Sequence, residues 1–150
     1  MKTKPSQFRR DSYNESNQFG IDKIAQFLSR RGFSVPDKPE DYKVDMFAFK
    51  DGEQFNIEAE VRRGLNFTVR ETFPFNTVSF LARKNKYQGD KPFWYFLVCR
   101  ETEWCVFANS KDIFNDKYKI IKNINSTRRS GSDTMYHVPL DKCEFRNLNE

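Results

Sequence analysis

The chain has 150 residues, a length that suits one domain large enough to bury a real core. Its 26 Lys and Arg against 21 Asp and Glu leave a net charge of +5, and a pI near 9.1 points weakly to an anionic partner. No apolar run reaches the length of a membrane span, MKTKPSQFRR lacks the apolar stretch of a signal peptide, and Cys99, Cys105 and Cys143 show no CxxC spacing. These features suggest no membrane span, disulfide framework or zinc site, and the expectation is a soluble protein of the reducing cytoplasm.

In chain order, residues 1–11 read as a flexible basic arm and residues 12–150 as a single domain. Ser12 or Asn14 offers a cap for a helix expected over about 15–31, with Ile21, Ile24, Ala25 and Leu28 on one face and Gly32 as its stop. FSVPDKPEDY reads as a short strand and a Pro-rich loop. Next comes KVDMFAFKDGEQFNIEAEVRRG, in which Val44, Met46 and Ala48 alternate before the turn and Phe55, Ile57, Ala59 and Val61 alternate after it. Asp51-Gly52 is the residue pair that favours a two-residue hairpin loop. Beyond it, TVSFLA, PFWYFLVCR and EWCVFANS are rich in β-branched and aromatic residues and predict strands, with RKNKYQGD a short helix or loop between the first two. NINSTRRSGSDT reads as a polar loop, and YHVPLDKCEF closes the domain. Most of the sixteen Phe belong in a core, and the order of elements implies an α/β fold: a mixed central sheet flanked by helices.

The hairpin raises a chemical question. With Asp51 and Gly52 as the loop, Lys50 lies opposite Glu53, Asp45 opposite Glu58, and Lys43 opposite Glu60. Side chains alternate strictly along a strand, so Asp45, Glu58 and Glu60 share a face and are expected to converge. Directly opposed residues have Cβ atoms about 5 Å apart, and two bare charges there repel by about 3 kcal/mol at an effective dielectric near 20. A divalent cation reverses that term, because hard ions such as Mg²⁺ or Mn²⁺ take carboxylate oxygens as ligands. The competing reading is a solvated face screened by Lys43, Arg62 and Arg63. A basic chain around an acidic centre suits a metal-dependent nuclease: cations hold phosphates, carboxylates hold the metal.

Asp45, a turn, and then Glu58-Ala59-Glu60 on the next strand resembles the PD-(D/E)XK nuclease superfamily. The likeness extends over roughly residues 15–100. It implies a restriction-endonuclease-like core, an Mg²⁺-dependent (or Mn²⁺-dependent) phosphodiesterase, nucleic acid and in the first instance DNA as partner, and Asp45, Glu58 and Glu60 as metal ligands and catalytic residues. Glu60 stands where the motif has Lys, an E-x-E variant. A second register, Glu60-Val61-Arg62, puts Arg62 in that place. The missing cation is expected from Arg83 or Lys84, and Arg62, Arg63, Arg83, Lys84 and Lys86 are expected to contact nucleic acid. Some members of the superfamily also draw an acid from the first helix, which makes Glu15 and Asp22 secondary candidates against a solvated face or, for Glu15, a helix-dipole role. His137, the sole histidine, reads as structural, and Glu71 as surface. A catalytically inactive nucleic-acid-binding module with the same fold is the alternative, and a homodimer is left open.

Overall fold

The computed structural model describes residues 5–37, 44–82, 92–126 and 129–150, with side chains described over 15–37, 44–82, 92–121 and 134–150. Helix α1 spans Pro5–Arg30, starting well before the expected position near residue 15 and taking in most of the stretch read as a basic arm. Proline is at home in a first helical turn, where its missing N–H would have no intrahelical partner. The C-terminus is a Schellman motif: Phe33 N–H donates to the Leu28 carbonyl at 3.1 Å and Gly32 N–H to that of Ser29 at 3.1 Å. Gly32 adopts φ +87°, a conformation that costs a side-chain-bearing residue steric strain.

Strands β1 (Met46–Lys50) and β2 (Glu53–Arg62) form the expected hairpin. They join β4 (Phe93–Cys99), β5 (Trp104–Asn109) and β8 (Glu144–Asn147) in a sheet of order β1-β2-β4-β5-β8. The β2–β4 pair is parallel and the other pairs are antiparallel, so the sheet is mixed. A second, antiparallel sheet has the order β3-β7-β6, from Thr77–Leu81, Arg129–Pro139 and Lys119–Ser126. The remaining helix α2 is one turn, Ser110–Ile113, capped by the Asn109 side chain. The fold is therefore mixed α/β, with a mixed multi-stranded sheet and two α-helices among the described residues.

Alternation along the strands sorts side chains into two cores. On one face of the large sheet, Ile24, Phe27 and Leu28 of α1 pack on Met46, Ala48, Ile57, Ala59, Phe96 and Val98. Gly20 lets the helix approach closely: a Cβ there would lie 2.7 Å from Val61 Cγ2. On the other face, Tyr95, Leu97 and Val106 pack against Val78, Phe80, Tyr136 and Val138 of the second sheet. Strands thus cover the face opposite α1. A buried aromatic strand pair such as Phe80 against Tyr95, with ring centroids 4.9 Å apart, covers apolar area as a helix stripe does.

Three local expectations are corrected. In NINSTRRSGSDT, residues 123–126 lie in β6 and 129–134 in β7, paired across a hairpin from Lys119↔Tyr136 to Ser126↔Arg129 where a loop was expected, while 127 and 128 lie outside the described residues. YHVPLDKCEF is split between the sheets, Tyr136–Pro139 ending β7 and Glu144-Phe145 opening β8. The strand expected in FSVPDKPEDY is a single antiparallel bridge, Ser34↔Phe49. Residues 83–91 lie outside the described part of the chain, and with them the expectation for RKNKYQGD.

Candidate functional site

The Asp51-Gly52 loop sets the geometry. Both residues take positive φ, +52° and +78°, as a two-residue turn matching strand twist requires. The register then runs from Lys50↔Glu53 to Met46↔Ile57, as expected from the sequence, and Asp45 and Glu58 come next. At this point side chains replace backbone partners in the ladder. Asp45 N–H donates to Glu58 Oε1 at 3.2 Å, and Ala59 N–H donates to Asp45 Oδ2 at 2.9 Å. Each carboxylate is thereby oriented by a backbone amide, a charge-assisted contact. Glu58 is 1 % exposed, so its carboxylate sits where an ion is costly without compensating groups.

Glu60 follows on the same face and has different company. Its Oε2 lies 3.2 Å from Arg62 Nη2 and accepts the Tyr95 hydroxyl at 3.4 Å. Arg62 Nη2 also donates to the Ser79 carbonyl at 2.7 Å, which ties β2 to the second sheet. Burial, and then the negative charge of Glu60, hold the Tyr95 phenol well above its ordinary range, so it stays a proton donor. The three carboxylates therefore divide into a stitched pair and a third drawn away by a guanidinium. Among the described residues no group of three or more His, Cys, Asp or Glu is arranged to hold a metal ion.

A two-carboxylate arrangement still fits a hard divalent cation. Mg²⁺ keeps several waters and is commonly held through one or two carboxylates. Asp45 and Glu58 are adjacent, oxygen-only donors, each fixed by one backbone amide. Glu60, expected as a third ligand, is instead the partner of Arg62.

The secondary candidates are spread more widely. Glu15 and Asp22 line a cleft on α1 with Ser16, Arg63 and Arg100, on the sheet face of Ile57 and Ala59 and thus across the sheet from Glu58 and Glu60. Asp22 accepts from Gln18 Nε2 at 2.8 Å, and Arg63 Nη2 reaches Ser16 Oγ at 3.2 Å. Neither helix acid is brought to the stitched pair. Arg83, Lys84 and Lys86 lie outside the described residues. His137 is half-buried in β7 opposite Ser79, and Glu71 is exposed in a 3-10 turn.

Sequence reasoning missed Tyr95 and Ser79. Both reach the site through pairings distant in sequence, β4 on β2 and β3 beside Arg62, and no local pattern announces either. It also missed Arg100, whose guanidinium stacks 3.8 Å over the Phe19 ring.

Comparison with known proteins gives no match to a family model, to a curated protein or to a solved structure. The class defined by fold and site is a mixed α/β domain with a carboxylate pair, Glu58 buried and Asp45 half-buried, at one end of its β1–β2 hairpin. Among the described residues no helix is long and apolar enough to cross a membrane.

Proposed function

We propose that this chain is a metal-dependent phosphodiesterase acting on nucleic acid, DNA in the first instance. The observation that carries the reading is the Asp45–Glu58 pair: two acids directly opposed at the end of a hairpin, one buried, each held by a backbone amide. Such a pair is electrostatically costly as mere structure, and a bound cation would offset that cost. Support comes also from the order of elements, with α1, then the acid-bearing hairpin, then a crossover to β4 parallel to β2. That order agrees with the restriction-endonuclease-like core implied by the PD-(D/E)XK resemblance.

In this reading Asp45 and Glu58 hold Mg²⁺ or Mn²⁺. A bound ion would supply Lewis-acid neutralisation of phosphate charge and a more acidic water at these two carboxylates. Glu60 and the Ser79 carbonyl grip Arg62, and Tyr95 steadies Glu60, so a guanidinium stands on the carboxylate face without a motif lysine. Arg62 is the described candidate for the cation that steadies the transferring phosphoryl oxygens. Arg83 and Lys84 are the other source, and Lys86 is assigned to phosphate contacts, whereas Arg63, expected to share them, lies in the α1 cleft across the sheet. One observation favours the alternative of a catalytically inactive nucleic-acid-binding module, namely that Glu60 is committed to Arg62 rather than to the pair.

The deciding experiment is a cleavage assay on single-stranded, duplex and branched DNA and on RNA, with Mg²⁺, Mn²⁺ or EDTA. Metal-dependent cleavage of any of them is expected. No cleavage of any substrate with either metal overturns the catalytic reading in favour of the binding module.

A further inference from the structure

Helix α1 covers only part of the large sheet. Phe27 and Leu28, near its C-terminus, pack with Ile57 and Phe96, and at Gly32 the chain turns away into the Ser34↔Phe49 bridge. Phe55 and Trp94 stand two residues before Ile57 and Phe96, so alternation puts them on the same face. With Phe107 they floor a cavity of about 250 Å³, walled by Phe27 and Phe33. The rings brace one another: Phe33 meets Phe55 edge-on at 5.6 Å, Trp94 meets Phe107 edge-on at 5.7 Å, and Phe107 stacks on Phe96 at 4.4 Å between centroids.

The charged groups of this cavity are three. Glu144 and Arg146 of β8 neutralise each other at 3.2 Å and are exposed. Arg31 is half-buried and meets no carboxylate side chain among the described residues. Its guanidinium lies 3.6 Å from the Phe27 ring centroid, and its Nη1 donates to the backbone oxygens of Phe27 at 3.3 Å and Glu150 at 3.1 Å. Stacking and these two bonds orient the planar fork, while Nε and Nη2 have no partner among the described residues and are left to donate. A cation with open donors thus stands beside an aromatic cavity whose other lining side chains, the Glu144–Arg146 pair apart, carry no amide, hydroxyl or charge.

We propose that this cavity binds a small aromatic carboxylate, its ring body on the Trp94–Phe107 floor and its carboxylate on Arg31. The site is separate from the candidate active site, because it lies on the α1 face of the sheet, across from Glu58 and Glu60. Size, lining and charge each select the ligand. At the packing density of protein interiors, about 0.75, the cavity holds roughly 190 Å³ of ligand, enough for a two-ring aromatic with a short acid arm. Aromatic rings add edge-to-face contacts that an aliphatic chain forgoes. A nucleobase would leave ring nitrogens and carbonyls unpaired against hydrocarbon, a desolvation cost that a plain aromatic ring avoids. A carboxylate matches the guanidinium fork and makes charge-assisted hydrogen bonds with it.

The test is isothermal titration calorimetry of the full chain at neutral pH with three probes: naphthoate, the neutral naphthylmethanol and the aliphatic octanoate. Naphthoate is expected to bind about 10-fold more tightly than either of the others. Arg31→Gln should abolish its advantage over naphthylmethanol while leaving the affinity for the alcohol and the melting temperature unchanged. Trp94→Ala should weaken both naphthyl probes. No binding of naphthoate up to about 5 mM, a level that detects even millimolar affinity, overturns the site. Equal affinities for naphthoate and naphthylmethanol overturn the role of Arg31, and octanoate binding as tightly as naphthoate overturns the aromatic assignment. A dimer in sedimentation that Trp94→Ala converts to monomer, with no heat from any probe, overturns the ligand site in favour of a second copy of this chain as occupant. None of these outcomes depends on the cleavage assay, so the two readings stand or fall separately.

Discussion

The two hairpins of this protein are built alike and anchored differently. β1–β2 lies at the edge of the large sheet with one face under α1: Met46, Ala48, Ile57 and Ala59 are buried against Ile24, Phe27 and Leu28. β6–β7 is anchored where β7 meets β3, through Tyr136 and Val138, and where Phe114 packs on Tyr136; beyond Leu81↔Met135 it pairs with no third strand among the described residues. The buried hairpin can hold two carboxylates in a fixed relation because its register cannot slip without turning four apolar side chains toward water. In residues 122–134 of the second hairpin Ile124 is the sole large apolar residue, so the sequence pattern there sets no such penalty.

The sharpest separation of the two hairpins is catalytic. Glu58→Gln and Asp45→Asn are each expected to lower single-turnover cleavage in Mg²⁺ by 10²-fold or more, about 2.7 kcal/mol or above, with circular dichroism unchanged. Retained activity in either variant removes the carboxylate pair from the site. The same variants should also lose the rise in melting temperature that Mg²⁺ or Mn²⁺ confers on the wild type, since a ligand bound only by the native state stabilises it.

Next in size are core truncations. Ile57→Ala should destabilise the protein by about 2–5 kcal/mol in urea unfolding, because it opens a cavity beneath α1. Ile121→Ala, on the exposed base of the second hairpin, should stay within about 0.5 kcal/mol of wild type. Comparable losses from both substitutions would mean that the second hairpin is packed as firmly as the first, and the contrast drawn above would fail.

A smaller effect tests the turn. Gly52→Ala forces a Cβ into φ +78° and should cost about 1 kcal/mol, again read by urea unfolding. An unchanged midpoint would show that the Asp51-Gly52 loop does not set the register of the acids.

The smallest expected effect lies outside both hairpins and serves as a control on acid unfolding. Hydrogen bonds from Lys23 and Asn149 hold the Glu103 carboxyl below its ordinary value. A depressed folded-state pKa contributes stability above the unfolded value, near 4.5, and loses it as pH falls through the folded value. Glu103→Gln should therefore narrow the gap in melting temperature between pH 6 and pH 3. An identical pH profile would show that the contact is screened by solvent.

The first hairpin was legible because three local signals agree in it: alternation on both arms, an Asp-Gly loop, and a run of apolar residues on one face. The second was not, although its backbone is equally regular. NINSTRRSGSDT is polar on every position but one, so alternation leaves no trace, and its composition is that of a loop. The N-terminal part of α1 was hidden for a related reason. PSQFRRDSYN carries no clear apolar stripe, and charge density there suggested an arm.

What the sequence determined by itself was the opposition of Asp45 and Glu58, since a two-residue loop and period-two alternation dictate a register without reference to the rest of the chain. It also placed Gly32 at the end of α1 and the three aromatic strands after the hairpin. Only the tertiary structure decided what each acid touches. Glu60 goes to Arg62 and Tyr95 because β4 pairs parallel to β2 and because Ser79, on a strand of the other sheet, offers a carbonyl to the same guanidinium. Pairings between segments tens of residues apart are chosen by how whole faces bury against one another, and that choice leaves no mark in the local pattern of either segment.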